Sequence, residues 1–173
     1  MENKLVIIIN GKGGVGKDFL CDSVSKQYKT KNISAITPIK EIASIYGWNG
    51  EKDDRSRRFL SELKRVFADY NDLPNQYLLK EYCAFLESNQ QILFVHIREK
   101  DQIQRFISSL YTKHITLLIR RKSIDNRHQY GNSSDDNVTD LIYDYYFDND
   151  LDAEQSAMKF QNFIDEIWNN IFT

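Results

Sequence analysis

Seven residues near the start of the chain, Gly11-Lys-Gly-Gly-Val-Gly-Lys17, have the composition and spacing of a phosphate cradle. Glycines let successive backbone N–H groups turn toward one point, and a following helix adds the positive end of its dipole. A lysine in that first turn supplies a charge between the terminal phosphates of a nucleoside triphosphate. Four glycines within six residues exceed what a simple strand-to-helix turn requires. The GxxxxGK spacing is that of a Walker A loop, which assigns Gly11, Lys12, Gly13, Gly14, Val15, Gly16 and Lys17 to nucleotide binding, followed by Asp18 and Phe19. Position eight of such a loop normally holds a hydroxyl that ligates Mg²⁺, and here it is Asp18. A carboxylate is favourable in a first helical turn, so Asp18 is read either as a metal ligand through water or as a helix-end charge.

The elements around this loop suit the mechanism. Leu5-Val-Ile-Ile-Ile9 is a short β-branched run of the kind buried on both faces of a parallel sheet. Phe19, Leu20, Val24 and Tyr28 then recur at helical spacing. A second strand is expected at Ile33 to Thr37, a helix starting at Pro38 and stopping near Gly47, and a polar loop from Trp48 to Asp54. Phe59, Leu60, Leu63, Val66, Phe67 and Tyr70 predict an amphipathic helix, interrupted at Asp72 to Asn75 before another helix through Tyr77, Leu78, Tyr82, Phe85 and Leu86. Strands follow at Ile92 to Val95, Ile115 to Ile119 and Leu141 to Phe147, with a helix around Ile103 to Leu110. A final helix begins at Asp152, where Gln155 is placed for a capping box. Alternating strands and helices predict one α/β domain over residues 1–173, a three-layer αβα sandwich on a mostly parallel sheet of about five strands.

Phosphoryl transfer needs little covalent chemistry and much positive charge around the moving group. Arg98 follows a predicted strand at its C-terminal end, where open α/β sheets bind ligands. Arg55, Arg57 and Arg58 open the amphipathic helix and could aim a guanidinium at an acceptor phosphate. Arg120, Arg121, Lys122 and Arg127 crowd the polar stretch 120–138, which reads as a lid, with Arg120 on the nucleotide and Arg121 and Arg127 as catalytic candidates beside Lys17 and Arg98. Asp53 could orient the acceptor or take a proton, and Trp48 could stack on it or anchor packing. His96 and Cys21 read as core residues, and His128 as a solvated one.

Composition bounds the rest. The 173 residues hold 23 Lys+Arg against 25 Asp+Glu, and this even balance gives no basic footprint for nucleic acid. Cys21 and Cys83 form no CxxC pair, which argues against a zinc site or disulfide scaffold. The apolar run at Leu5 to Ile9 is too short for a membrane span, so a cytoplasmic protein without a membrane partner, monomeric or a homodimer, is expected.

Gly16-Lys-Asp-Phe19 resembles a branch of the nucleoside-monophosphate-kinase-like P-loop kinases that includes phage-type deoxynucleoside monophosphate kinases and animal-type phosphomevalonate kinases. Pro38-Ile-Lys-Glu-Ile42, then Gly47-Trp-Asn-Gly-Glu-Lys-Asp53 with Arg57, Arg58 and Leu60, are similar to the deoxynucleotide kinase pattern. So are Val95-His-Ile-Arg-Glu99 and Tyr143-Asp-Tyr-Tyr-Phe-Asp-Asn149, in the same order along nearly the whole chain. The resemblance implies transfer of the ATP γ-phosphoryl group, with Mg²⁺, to a phosphate monoester, above all a nucleoside or deoxynucleoside monophosphate. It places Lys40, Trp48, Asp53, Arg57, Arg58 and Arg98 on the acceptor side, within a helical region of about 38–90. Two departures stand out: Phe19 replaces a hydroxyl residue, and His96 stands where the group has an acid. Lys12-Gly-Gly-Val-Gly-Lys17 also matches the deviant loop of partition-type ATPases, in which Lys12 would reach a partner's nucleotide, but neither Thr-Thr nor an Asp-rich switch follows. A non-catalytic nucleotide-binding module is the third reading.

Overall fold

The computed structural model describes residues 3–125, 138 and 141–173. Five strands, β1 (Leu5–Asn10), β2 (Thr30–Ser34), β3 (Ile92–His96), β4 (Lys113–Arg120) and β5 (Tyr145–Asp148), form one sheet in the order β2-β3-β1-β4-β5. Every pairing is parallel, with Leu5 opposite both Ile92 and Lys113. Among the described residues the helices are α1 (Lys17–Val24), α2 (Thr37–Ile45), α3 (Asp54–Asn71), α4 (Leu73–Glu87), α5 (Lys100–Ile107), the single turn α6 (Lys122–Asp125) and α7 (Ala153–Phe172).

Alternation along the central strands builds the three layers. Leu5, Ile7, Ile9, Ile92 and Phe94 pack on Leu20, Cys21 and Val24 of α1 and on Phe160, Ile164 and Ile167 of α7. Val6, Ile8, Leu93 and Val95 face the opposite way, onto Leu78, Tyr82 and Phe85 of α4 and Ile103 and Phe106 of α5. Both faces being covered explains why β1 is a continuous apolar run instead of an alternating one. A smaller cluster of Ile39, Ala43, Leu60, Leu63, Phe67 and Trp48 joins α2 to α3 beside this sandwich. Chain order reverses at β1, whose neighbours are β3 and β4. The helices that follow β1 and β3 therefore leave on opposite faces, and the crevice between them opens at the C-terminal strand ends.

Local chemistry sets the ends of elements. Asp53 and Asp152 each accept the N–H of the residue three further on, at 2.7 and 2.9 Å, and so cap α3 and α7. Lys4 donates to the carbonyls of Phe85, Ser88 and Gln90 at 2.8–2.9 Å, closing the C-terminus of α4 with a cation.

Four expectations shift. The second strand lies at Thr30–Ser34, ahead of Ile33 to Thr37. It is an edge strand paired to β3 alone, so its exposed Asn32 and its half-buried Thr30 and Lys31 carry no apolar signal. The strand expected from Leu141 contracts to Tyr145–Asp148, because the Asp144 carboxylate binds the Thr116 N–H and hydroxyl, at 2.8 and 2.9 Å, in place of a backbone ladder. The break at Asp72 to Asn75 is one residue, Asp72, at φ 55°, with Leu73 and Pro74 already in the first turn of α4. Phe59, Val66 and Tyr70 of α3 point to solvent, while Ser56, Leu60 and Lys64 form its buried stripe.

Candidate active site

Gly11 to Gly16 join β1 to α1, with Gly11, Gly14 and Gly16 at φ 145°, 84° and 91°. A Cβ on Gly11 would stand 2.5 Å from the Ile119 carbonyl oxygen, and one on Gly16 would stand 2.7 Å from Asn149 Nδ2, so the loop is held tight against β4 and the β5–α7 turn. Val15 is wholly buried among β1 and α1 residues and anchors the loop from below. Gly14, by contrast, is exposed. This shape leaves the mouth of the loop to solvent while its back is fixed.

Two buried asparagines do the fixing. Asn10, the last residue of β1, accepts the Gly11 N–H at 2.8 Å and donates to the Arg98 carbonyl at 3.0 Å and the Tyr143 hydroxyl at 2.8 Å. Tyr143 in turn donates to the Val138 carbonyl at 2.8 Å. Asn149 donates to the Val15 carbonyl at 2.7 Å, and its own N–H meets the Arg120 carbonyl at 2.8 Å. Asn149 closes the Tyr143–Asn149 stretch that carries the resemblance, but neither asparagine was assigned to the site by sequence. The available signal was a polar residue ending an apolar run, at Asn10 and again after Phe147.

Lys17 curls back over the loop and donates to the Gly11 and Lys12 carbonyls, the latter at 2.9 Å, so its ammonium sits where phosphate oxygens would replace those acceptors. Asp18 is almost fully exposed and lies 3.9 Å from His96 Nδ1 at the end of β3. Burial drives the His96 pKa down to about 4; Asp18 opposes the shift, and Lys17 and Arg98 add to it. The imidazole is therefore neutral near pH 7. Its folded pKa lies below its ordinary 6.5, so the unfolded chain binds the extra proton between those values. The stability owed to neutral His96 is complete above pH 6.5 and is lost as pH falls toward 4. Urea midpoints should decline across that window and decline less in His96→Asn; an identical decline in the variant would show that other groups set it.

Arg98 is half-buried at the C-terminal edge of the sheet, and its field reaches both His96 and Lys64. Lys64, a buried residue of α3, donates to Glu99 Oε2 at 2.5 Å. Lys17, Asp18, His96 and Arg98 are thus brought together as one charged mouth, with Lys64 and Glu99 on its α3 side. Lys64 hides from sequence reading because it occupies an apolar position of α3.

Other candidates are dispersed. Arg120 makes a double hydrogen bond to Asp148 at 2.7 and 3.1 Å and lies 5.1 Å from the centre of the Tyr146 ring, so its guanidinium plane is already oriented. Arg121 is half-buried just after β4, and Lys122 bonds Asp150 through its N–H at 2.8 Å. Arg127 and His128, and most of the 120–138 stretch, lie outside the described residues. Lys40 and Arg58 are exposed, and Arg57 donates to the Lys52 carbonyl at 3.1 Å. Asp53 is spent on its helix cap, and the Ser56 hydrogen bond holds its carboxyl below the usual range, which makes it a weak base. Trp48 packs in the α2–α3 cluster, and its buried Nε1 has no hydrogen-bond partner among the described residues. Among the described residues, no hydrogen bond or ion pair ties Lys40, Trp48, Asp53 or Arg58 to the loop. Cys21 is buried behind the loop, and burial pushes its thiol pKa up, as suits packing.

The donor set fits a nucleoside triphosphate, since the glycine cradle, Lys17 and the start of α1 converge at an open mouth. For Mg²⁺ it offers little protein coordination. No group of three or more His, Cys, Asp or Glu side chains able to hold a metal occurs among the described residues. Asp18 could reach the ion through water, in keeping with a metal carried chiefly by nucleotide phosphates and water.

No curated protein matches the sequence. The tetratricopeptide repeat family matches residues 96–167, under half of the chain. That repeat is a pair of helices, whereas this stretch contains β4 and β5, so the match does not describe the fold. Solved structures match over nearly their full length. A sugar kinase from Janibacter sp. HTCC2649 is 12% identical with a TM-score of 0.52, covering 94% of this chain and 95% of its own. The tunicamycin resistance protein of Deinococcus radiodurans is 16% identical with a TM-score of 0.54, covering 94% and 96%. Shikimate kinase from Aquifex aeolicus is 10% identical with a TM-score of 0.54, covering 98% and 99%. The β2-β3-β1-β4-β5 parallel sheet, with its glycine loop at the end of the central strand, is the P-loop kinase fold.

Proposed function

We propose that the protein is an ATP-dependent kinase that transfers the γ-phosphoryl group, with Mg²⁺, to a phosphate monoester, and above all to a nucleoside or deoxynucleoside monophosphate. The observation that supports this reading is that Lys17 and Arg98 both act on His96 at the C-terminal strand ends, where the Lys64–Glu99 ion pair ties α3 to the segment after β3. The donor cradle would thereby face cations of α3 and of the β3 end. ATP would rest on Gly11 to Lys17 with Arg120 near its base, and Arg57, Arg58 and Arg98 would receive the acceptor.

Within such a complex the chain's own work is positioning and charge stabilisation. Lys17 would exchange the Gly11 and Lys12 carbonyls for phosphate oxygens. Asp18 would hold the water shell of Mg²⁺, which when bound neutralises charge between the β- and γ-phosphates. A phosphate acceptor is already anionic at neutral pH and needs no base. That chemistry suits a mouth whose histidine, with its pKa down at about 4, is a weak base.

The test is ADP release from ATP and Mg²⁺ over a panel of ribo- and deoxyribonucleoside monophosphates, phosphomevalonate, and unphosphorylated sugars and polyols. Turnover with a nucleoside monophosphate is expected. Activity confined to phosphomevalonate would move the substrate to the second resembling family, and activity confined to unphosphorylated hydroxyl acceptors would overturn the monoester assignment.

A further inference from the structure

Lys64 is an ionisable residue where α3 would be served by a hydrophobe. It follows Leu60 by one turn on the buried stripe, both are 8% exposed, and Leu63 and Phe67 flank it in the α2–α3 cluster. Burying an ammonium is costly, and a well-packed apolar side chain in place of a buried ion pair is often neutral or stabilising. Retention of the charge therefore calls for work beyond packing.

The position of the ammonium supplies that work. Its partner Glu99 is three residues beyond the end of β3, next to Arg98, and the Arg98 carbonyl is tied to Asn10 at the root of the phosphate loop. An ammonium carries three N–H donors, and among the described residues Lys64 directs one, to Glu99 Oε2. Arg57 lies seven residues earlier on the same side of α3, half-buried, with its Nε–H on the Lys52 carbonyl at 3.1 Å.

We propose that Lys64 is an anion-binding residue of the acceptor side, its ammonium taking, together with Arg98, the phosphate group of the acceptor while Glu99 holds it in register. The assignment rests on the kinase reading for the identity of its ligand, but the anion site itself is testable without turnover. Burial lowers the Lys64 pKa and Arg98 adds to the fall, while Glu99 opposes it. Glu99 is on this view a positioning residue.

The probe is inorganic phosphate, titrated by calorimetry into protein presaturated with a non-hydrolysable ATP analogue, so that the glycine loop is filled. Lys64→Met alone would strand Glu99, so the informative variant is Lys64→Met/Glu99→Gln, which removes both charges and keeps the volume. Wild type should bind phosphate, the double variant should bind it at least about tenfold more weakly, and affinity for the analogue should stay within about twofold. Lys64→Arg should retain most of the phosphate binding. Equal phosphate affinity in wild type and double variant, or none in either, would overturn the site and leave only a structural ion pair. Failure of the kinase reading would show separately, as absent ADP release with every acceptor in a protein that still binds phosphate through Lys64.

Discussion

Lys17→Ala should lower phosphoryl-transfer turnover by roughly 10²–10⁴-fold, equivalent to about 3–5 kcal/mol of barrier, with the fold intact. The lysine sits in the first turn of α1, and its ammonium donates to two loop carbonyls, those of Gly11 and Lys12. Water can take over those acceptors when the ammonium is removed. The expected change in unfolding free energy is therefore under about 1 kcal/mol, the range of substitutions away from core features. In the transition state no such replacement exists, because water does not supply a fixed cation between the β- and γ-phosphates. Lys17→Arg should recover little, since a planar fork cannot reproduce a compact point charge inside a glycine loop. Single-turnover rates at saturating ATP, compared with urea midpoints for the same proteins, separate the two effects. Wild-type turnover in Lys17→Ala would remove the glycine loop from the mechanism.

That prediction could be written from sequence, and the reason is local. The loop's glycines, its lysine, the apolar strand before it and the helix after it are contiguous, so spacing alone defines the geometry. The same holds for a mostly parallel sheet of about five strands, which follows from strand and helix periods alternating along the chain, whereas the order of the strands and the bounds of β2 and β5 do not. Legibility fails where function depends on residues distant in the chain meeting at the sheet edge. Lys64 sits inside an amphipathic pattern and reads as a gap in it until Glu99 is seen 2.5 Å away, 35 positions later. Trp48 reads by type as either a stacking platform or an anchor, and it packs in the cluster with Leu60, Leu63 and Phe67. Asp53 reads as an acid near an arginine cluster, yet it is the cap that starts α3. In each case residue type was informative and the partner was not, because partners are set by the tertiary fold.

Asn10 is the extreme instance, and replacing it should cost more stability than any surface charge of the site. It is fully buried at the end of an apolar strand, and its carboxamide spends both N–H groups and one lone pair. Leucine has the same branching and a larger volume, so Asn10→Leu leaves no cavity. It does take the Asn10 oxygen from the buried Gly11 N–H, and it removes the bonds to the part-buried Arg98 carbonyl and to a Tyr143 hydroxyl that itself holds Val138. One unsatisfied buried N–H and two lost hydrogen bonds set the expected destabilisation at about 2–4 kcal/mol. Asn10→Asp discriminates the donor from the acceptor role. One oxygen can still receive the Gly11 N–H, but the other would face the Arg98 carbonyl, so this variant should lose stability as well and lose it more at neutral pH than near pH 4, where the carboxyl is protonated and can donate. Tyr143→Phe should cost about 1 kcal/mol, and added to Asn10→Leu it should cost less than that, because the shared bond is already gone. The same substitutions should weaken ATP binding, since the Gly11 N–H and the strand end it hangs from would no longer be fixed relative to Arg98. Urea unfolding and nucleotide titration of the four proteins measure all of this. An Asn10→Leu protein within about 0.5 kcal/mol of wild type, with unchanged ATP affinity, would mean that the loop takes its shape from the glycines alone.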